Sequence, residues 1–219
     1  MEIVKELPAF VLAVLLLAAV PGPAVAVLVR RSALDGLRGA TPLVLGLESG
    51  LYFWIVAAGA GLAALVATSH LAYDVLRIVG ATVLLLLGLQ AWGAAVRHRR
   101  SGGDGEVDVS ALPAARWRLS GSRGTYTLGL VTNLANPKAA VFVFAFYPAF
   151  LPNGYPLLPT AAGLGLLQIT VETVFYLGVA GLVARASTWF ASSRVRTVLD
   201  ALCGTVLVGL GLRVATEAR

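Results

Sequence analysis

The chain of 219 residues has a mean hydropathy of +0.84 and only 13% charged side chains. A soluble domain carries about a quarter, which excludes a water-soluble globule as the first reading. The net charge of +6 would suit nucleic acid, but the basic residues fall between apolar runs without aromatic interleaving, so no nucleic-acid partner is expected and the lipid bilayer explains them.

A helix needs about 20 mostly apolar residues to cross a bilayer, and six such runs are predicted. The first, residues 7–29, is interrupted by Pro21-Gly22-Pro23. Ala24-Val25-Ala26 imitates a signal-peptide cleavage site, but Glu2 and Glu6 outnumber Lys5 where such a peptide is positive, so the run is expected to be retained. The second run, 41–67, opens with Pro42 in a favoured first-turn position. The third is 75–96. The fourth, 125–151, is interrupted by Pro137, and the fifth and sixth are 157–184 and 197–216.

The connections set the orientation. Arg30, Arg31 and Arg38 lie in the first, six arginines from Arg97 to Arg123 in the third, and Arg185, Arg194 and Arg196 in the fifth. That places twelve basic residues on one side. The other side has Lys5, Arg77, Arg213 and Arg219, and Lys138 stands within the fourth run. Basic connections stay in the cytoplasm, so both termini are predicted outside a plasma (inner) membrane. The third connection contains Ser101-Gly102-Gly103-Asp104-Gly105, a flexible, solvated composition. It divides one membrane domain, residues 1–219, into halves at 1–96 and 125–219 joined by the linker 97–124.

The halves are related. A shift of 123 lays 75–90 on 198–213 with 8 of 16 positions identical, Thr82/Thr205 and Gly88/Gly211 among them. A shift of 124 lays Glu48-Ser49-Gly50-Leu51-Tyr52 on Glu172-Thr173-Val174-Phe175-Tyr176, and a shift of 115 lays Pro21-Gly22-Pro23-Ala24 on Asn136-Pro137-Lys138-Ala139. Three spans per half place the halves in opposite orientations. The predicted fold is therefore an all-α integral membrane protein, six transmembrane helices in a 3+3 inverted-topology repeat, with helices 1 and 4 broken.

Proline removes a backbone N–H and clashes with the carbonyl four residues back, so the carbonyls of Leu17, Ala19 and Asn133 are expected to lose their usual partners. Proline and glycine also occur in transmembrane helices as simple kinks. Two breaks at equivalent places point instead to discontinuous helices, whose exposed N–H groups suit an anion. Asn133 and Asn136 add donors and acceptors beside the second break.

Glu48 and Glu172 lie inside apolar runs, and an intramembrane carboxylate is by default a functional hypothesis. The competing reading is a neutral or paired glutamate that only locks helices together; recurrence in both halves argues for function. The roles open to the pair are binding a substrate ammonium and carrying an exchanged proton. Lys138 is either a counter-ion to them, a contact for a substrate carboxylate, or a side chain snorkelling to the interface. Together the features suit a zwitterion, with its carboxylate at helix N-termini and its ammonium at a glutamate. Tyr52, Tyr176, Trp54 and Gln168 are plausible cavity liners.

The remaining features read as structure. Asp74 and Asp200 pair with Arg77 and Arg196 at interfaces. Gly46/Gly50 is a GxxxG spacing for close helix packing. Cys203 stands alone, and His70 and His98 are far apart, which argues against a metal site. No cofactor motif, hydrolase triad or phosphate loop is present, so an enzyme is not expected.

At these residues the chain resembles the lysine exporter (LysE) family of amino-acid and homoserine/threonine efflux proteins, over nearly its whole length. The resemblance rests on Pro21-Gly22-Pro23, on Asn133-Leu134-Ala135-Asn136-Pro137-Lys138-Ala139-Ala140, and on Phe146-Tyr147-Pro148-Ala149-Phe150. Leu76 to Gly80 with Leu87-Gly88, and Leu199-Asp200 through Gly204 to Leu210-Gly211-Leu212-Arg213, fit its third and sixth spans. The resemblance implies an inner-membrane exporter of amino acids or derivatives driven by a proton or ion gradient. The chain departs from the family at Ala24, where many members have Asp or Asn, and at Glu48, which is not a general family feature.

The expected function is export of amino acids or derivatives by proton antiport, with a small zwitterionic substrate and a proton or other coupling ion as partners; a homo-oligomer is compatible with this plan. The candidate substrate-binding residues are Pro21, Gly22, Pro23, Glu48, Tyr52, Asn133, Asn136, Pro137, Lys138, Glu172 and Tyr176, with Glu48 and Glu172 also for proton coupling. The alternatives are an exporter of another solute or a cation, a transmembrane redox carrier, or a non-transporting membrane scaffold. A redox carrier needs two cysteines, a cation exporter richer His or carboxylate loops, and a scaffold has no need of paired breaks and buried glutamates.

Overall fold

The computed structural model describes residues 2–20, 22–68, 121–151 and 155–185, with scattered helical positions between 75 and 96 and between 198 and 212. Pro21, the continuous course of the third and sixth runs, residues 97–120 of the linker, His70, His98 and Cys203 lie outside the described residues. So do both members of the Asp74/Arg77 and Asp200/Arg196 pairs.

The described residues form α1 (Glu2–Ala19), α2 (Pro23–Thr68), α3 (Gly121–Leu134), α4 (Pro137–Phe146), a 3-10 turn (Tyr147–Ala149) and α5 (Leu157–Arg185). Among them α2 over Pro23–Ala64 and α5 are each long and apolar enough to cross a bilayer, and Gly121–Leu134 with Lys138–Phe146 is so as a pair bent by 59°. Their outer faces carry Leu45, Phe53, Val141, Leu166, Val174 and Leu182, all exposed. Side chains of this kind belong in lipid, where only internally hydrogen-bonded backbone is tolerated. The chain is a multi-pass, all-helical membrane protein.

The first connection differs from its expectation. Residues 30–40 were predicted to link two spans, yet they continue as helix apart from Gly36. Arg31, Leu34, Leu37 and Arg38 are helix formers, and Arg31 Nε holds Asp35 Oδ2 one turn on, at 2.8 Å. Gly36 has φ +65 and ψ −171, a conformation open to glycine and strained for any other residue. The helix resumes at once after it, so Pro42 stands inside α2 rather than in a first turn. Val27 and Leu28, before the turn, share one buried cluster with Ala40, Leu43, Val44 and Leu47, after it.

Glycines set how closely α2 meets its neighbours. A side chain on Gly46 would strike the carbonyl of Tyr126, and one on Gly129 the carbonyl of Leu43. Gly50 faces Leu130 and Asn133. Numbers rise together along the two helices, so α3 runs parallel to this part of α2, and the Gly46/Gly50 pair serves the close packing its spacing predicts. Against α5 the order reverses. Gly59 faces Ala161, Ile55 faces Gly165 and Leu37 faces Gly181, so α2 and α5 are antiparallel.

These contacts gather Arg30, Arg31, Arg38, Arg123 and Arg185 at one end of the bundle. There Arg31 Nη2 donates to Thr125 Oγ1 at 2.9 Å. Five aromatic rings join α1 to α4 and the 3-10 turn: Phe10, Phe142, Phe146, Tyr147 and Phe150, with Phe142 stacked on Phe146 at 4.5 Å. The third and sixth runs meet where Trp92 Nε1 donates to Ala201 O at 3.1 Å. Thr82 and Thr205, equivalents under the shift of 123, each donate to the carbonyl one turn back at 2.9 Å.

Candidate functional site

Both breaks are built the same way. At the first, the Val20 N–H donates to Leu17 O at 3.1 Å, and Gly22 O accepts from Ala26 N at 2.9 Å. At the second, the Asn136 N–H donates to Asn133 O at 3.0 Å, and Asn136 O accepts from Ala140 N at 3.3 Å. The carbonyls of Leu17 and Asn133 were expected to be orphaned. Instead a tight bond to the residue three ahead satisfies each, the usual closing device of a helix end. The second break is also capped. Asn136 Oδ1 accepts the Lys138 N–H at 3.0 Å, with Pro137 at the first helical position, where its missing N–H is not needed.

The two breaks face one cavity of about 60 Å³. Its polar wall is Asn133, Asn136, Lys138, Gln168, Glu172 and Tyr176; Gly22, Leu51 and Phe142 supply apolar surface. Lys138 Nζ lies 3.8 Å from where a side-chain carbon on Gly22 would stand, so a larger residue there would crowd the ammonium. Lys138 is also within electrostatic reach of Glu172.

Behind the wall runs a buried polar chain. Tyr147 Oη donates to Gln168 Oε1 at 2.9 Å, and Gln168 Nε2 donates to Glu172 Oε1 at 2.7 Å. Gln168 and Tyr147 are fully buried, and Glu172 is 4% exposed. Buried polar groups are normally hydrogen-bonded, and this chain meets that condition. Glu48, 3% exposed, faces Glu172 across the α2–α5 contact. Neither of its carboxyl oxygens has a hydrogen-bond partner among the described residues.

Six candidates therefore come together at the cavity: Gly22, Asn133, Asn136, Lys138, Glu172 and Tyr176. Three of the candidates with described side chains, Glu48, Tyr52 and Pro23, stand outside its wall. Glu48 is one layer behind Glu172. Tyr52 packs its ring against Gly165 and lies near Tyr147. Pro23 opens α2 and Pro137 opens α4.

Two contributors were underrated. Gln168 stands one turn before Glu172 on the same helix, a spacing at which side chains meet; that signal was readable. Tyr147 was seen only as part of the Phe146–Phe150 motif. Its partner lies on another helix, which no local pattern reveals.

A family profile described as LysE type translocator matches residues 15–218. The homoserine/homoserine lactone efflux protein of Salmonella typhimurium (strain LT2) is 32% identical over 209 residues, covering 95% of each chain. Its namesake from Salmonella typhi is 31% identical over the same length and coverage. An uncharacterized membrane protein of Vibrio cholerae is 29% identical over 181 residues, 83% of this chain and 82% of its own. No solved structure matches.

Proposed function

The chain belongs to the LysE type translocator family, and on that premise we propose that it exports amino acids or their derivatives from the cytoplasm in exchange for protons. The family is one of translocators, not enzymes. Two relatives are named for efflux of homoserine and homoserine lactone, which places small hydroxylated amino acids and their esters first among the substrates to try.

One observation carries the reading: two helix starts, an ammonium and a carboxylate meet at one cavity, through Gly22, Asn136, Lys138 and Glu172. A zwitterion needs that combination. Its carboxylate would lie by Lys138 and the N-terminal turns of α2 and α4, where backbone dipoles favour negative charge. Its ammonium would lie by Glu172, with Asn133, Asn136 and Tyr176 ordering the rest. Glu48, Tyr52 and the prolines at 21, 23 and 137 would serve through position: the prolines open the breaks, and Glu48 joins Glu172 as the proton-exchanging pair.

A volume of about 60 Å³ holds about two waters. A whole amino acid is larger than this, so the helices would part to admit one. Rocking of two inverted halves, repeats 1–96 and 125–219, would do this. The antiparallel α2 and α5 and the matched construction of the breaks support that plan. With the arginine-rich end in the cytoplasm, both termini face outward from the inner membrane.

The test is counterflow in proteoliposomes holding the purified full-length protein and a panel of labelled amino acids: homoserine, threonine, lysine and leucine. The expected result is saturable exchange of at least one zwitterion, and accumulation that disappears when the pH gradient is collapsed. Absence of exchange for every member of the panel would overturn the reading.

A further inference from the structure

Glu48 and Glu172 are equivalents in sequence but stand in unequal surroundings. Along the antiparallel contact Gly59 faces Ala161, and four residues on Ile55 faces Gly165. Seven residues further along each helix the same register brings position 48 opposite position 172. The repeat shift of 124 pairs the same two positions. The two acidic positions therefore lie opposite each other, within electrostatic reach, where the helix contact and the repeat relation coincide.

The partners are not duplicated. The shift that pairs the glutamates lays Gln168 on Val44, and the shift that pairs the breaks lays Lys138 on Pro23. Among the described residues, of the two glutamates only Glu172 receives an amide N–H, at 2.7 Å, and only Glu172 lines the cavity with Lys138. Glu48 has neither a hydrogen bond among the described residues nor a place on the cavity wall. Tyr147 faces Glu172, Tyr176 faces both Glu172 and Glu48, and Tyr52 faces Tyr147.

Two carboxyls facing each other away from water do not both carry charge; one proton stays with the pair. A charge is held where donors and a counter-cation meet it, and a bare carboxyl is tolerated only when neutral. We infer that the two glutamates divide the work: Glu48 carries the exchangeable proton, while Glu172, oriented by Gln168 and set against Lys138, presents the charge that takes a substrate ammonium. Gln168 is then a positioning residue, and Lys138 holds the ammonium's place when the cavity is empty. A substrate ammonium displaces Lys138 from Glu172, the displaced ammonium of Lys138 offsets the charge that appears on Glu48, and the Glu48 proton passes to cytoplasmic water. The inference rests on the proton-exchange reading above.

Infrared difference spectroscopy on the full-length protein in lipid, titrated about neutral pH, locates the proton without any substrate. The stretch of a buried protonated carboxyl is expected in the wild type, absent in Glu48→Gln, and retained in Glu172→Gln and Glu48→Asp. A band that survives Glu48→Gln, or that vanishes only in Glu172→Gln, overturns the assignment. In proteoliposomes Glu48→Gln is expected to cut gradient-driven export by at least about tenfold while counterflow falls by less than about threefold, as for a residue on a proton path. Equal loss of both overturns it, and Glu48→Asp is expected to restore gradient-driven export. If the wild type exchanges no amino acid, the export reading fails, and the infrared bands still decide where the proton sits.

Discussion

Asn133 donates its side-chain amide to the carbonyl of Leu47 at 2.7 Å. The bond ties the last turn of α3, just before its break, to the residue preceding Glu48. A movement at the break is expected to be felt at the acidic pair through this bond. Asn133 Oδ1 has no partner among the described residues and belongs to the cavity wall. Replacing Asn133 by Leu removes this tie. The expected cost is about 1 kcal/mol, since polar contacts between membrane helices are modest. A lower midpoint in a thermal unfolding scan, with a larger fractional loss of counterflow than of stability, is the outcome that supports a transmitting role.

Gly46 and Gly61 separate packing from propensity. On Gly46 any side chain meets the Tyr126 carbonyl, whereas around Gly61 there is open space. Gly46→Val is expected to destabilise by about 3 kcal/mol or more, because a helix backbone cannot give way as a side chain can. Gly61→Ala is expected to be neutral or to stabilise by up to about 1 kcal/mol. The yield of monodisperse protein on gel filtration and the unfolding midpoint check both.

Gly36 carries the turn inside α2. Its φ of +65 with ψ −171 costs another residue about 1–3 kcal/mol. Gly36→Ala should therefore lower the unfolding midpoint, and the Arg31–Thr125 contact beside the turn should loosen with it. Proteolysis at the arginine-rich end, faster in the variant than in the wild type, reports that loosening.

Lys138 is expected to decide which charges the cavity accepts. Lys138→Met leaves Glu172 without its cation. Counterflow of zwitterionic amino acids is expected to fall by at least about tenfold, the scale of one lost charge contact. Lysine, which brings a second ammonium, should lose less, so the ratio of lysine to homoserine exchange rises. An unchanged ratio would remove Lys138 from substrate selection.

The legibility of the site follows from what each residue's role depends on. Glu48 and Glu172 stood out because a carboxyl inside an apolar run is costly wherever its neighbours lie. The helix ends near Gly22 and at Asn136 fall beside prolines because proline's missing N–H is a local property. The loss of carbonyl partners expected at Leu17 and Asn133 did not occur, because the chain can tighten by one residue at a helix end. Likewise Arg30 to Ala40 looked like a connection by charge, while its helix formers and the single Gly36 made it a helix with a turn.

Composition and hydropathy alone established a multi-pass helical membrane protein, since the cost of burying charge and unpaired backbone in lipid depends on residue type and not on contacts. Repeats in the chain likewise marked Glu48 with Glu172 and the first break with the second. Only the tertiary structure decided that the equivalents are unequal. Gln168, one turn away on the same helix and itself held by Tyr147 of the 3-10 turn, bonds Glu172, and Lys138 of α4 shares the cavity with it, whereas Glu48 has no hydrogen bond among the described residues. Hydrogen bonds and cavity walls are made between side chains far apart in sequence, and hydropathy carries no record of which of them meet.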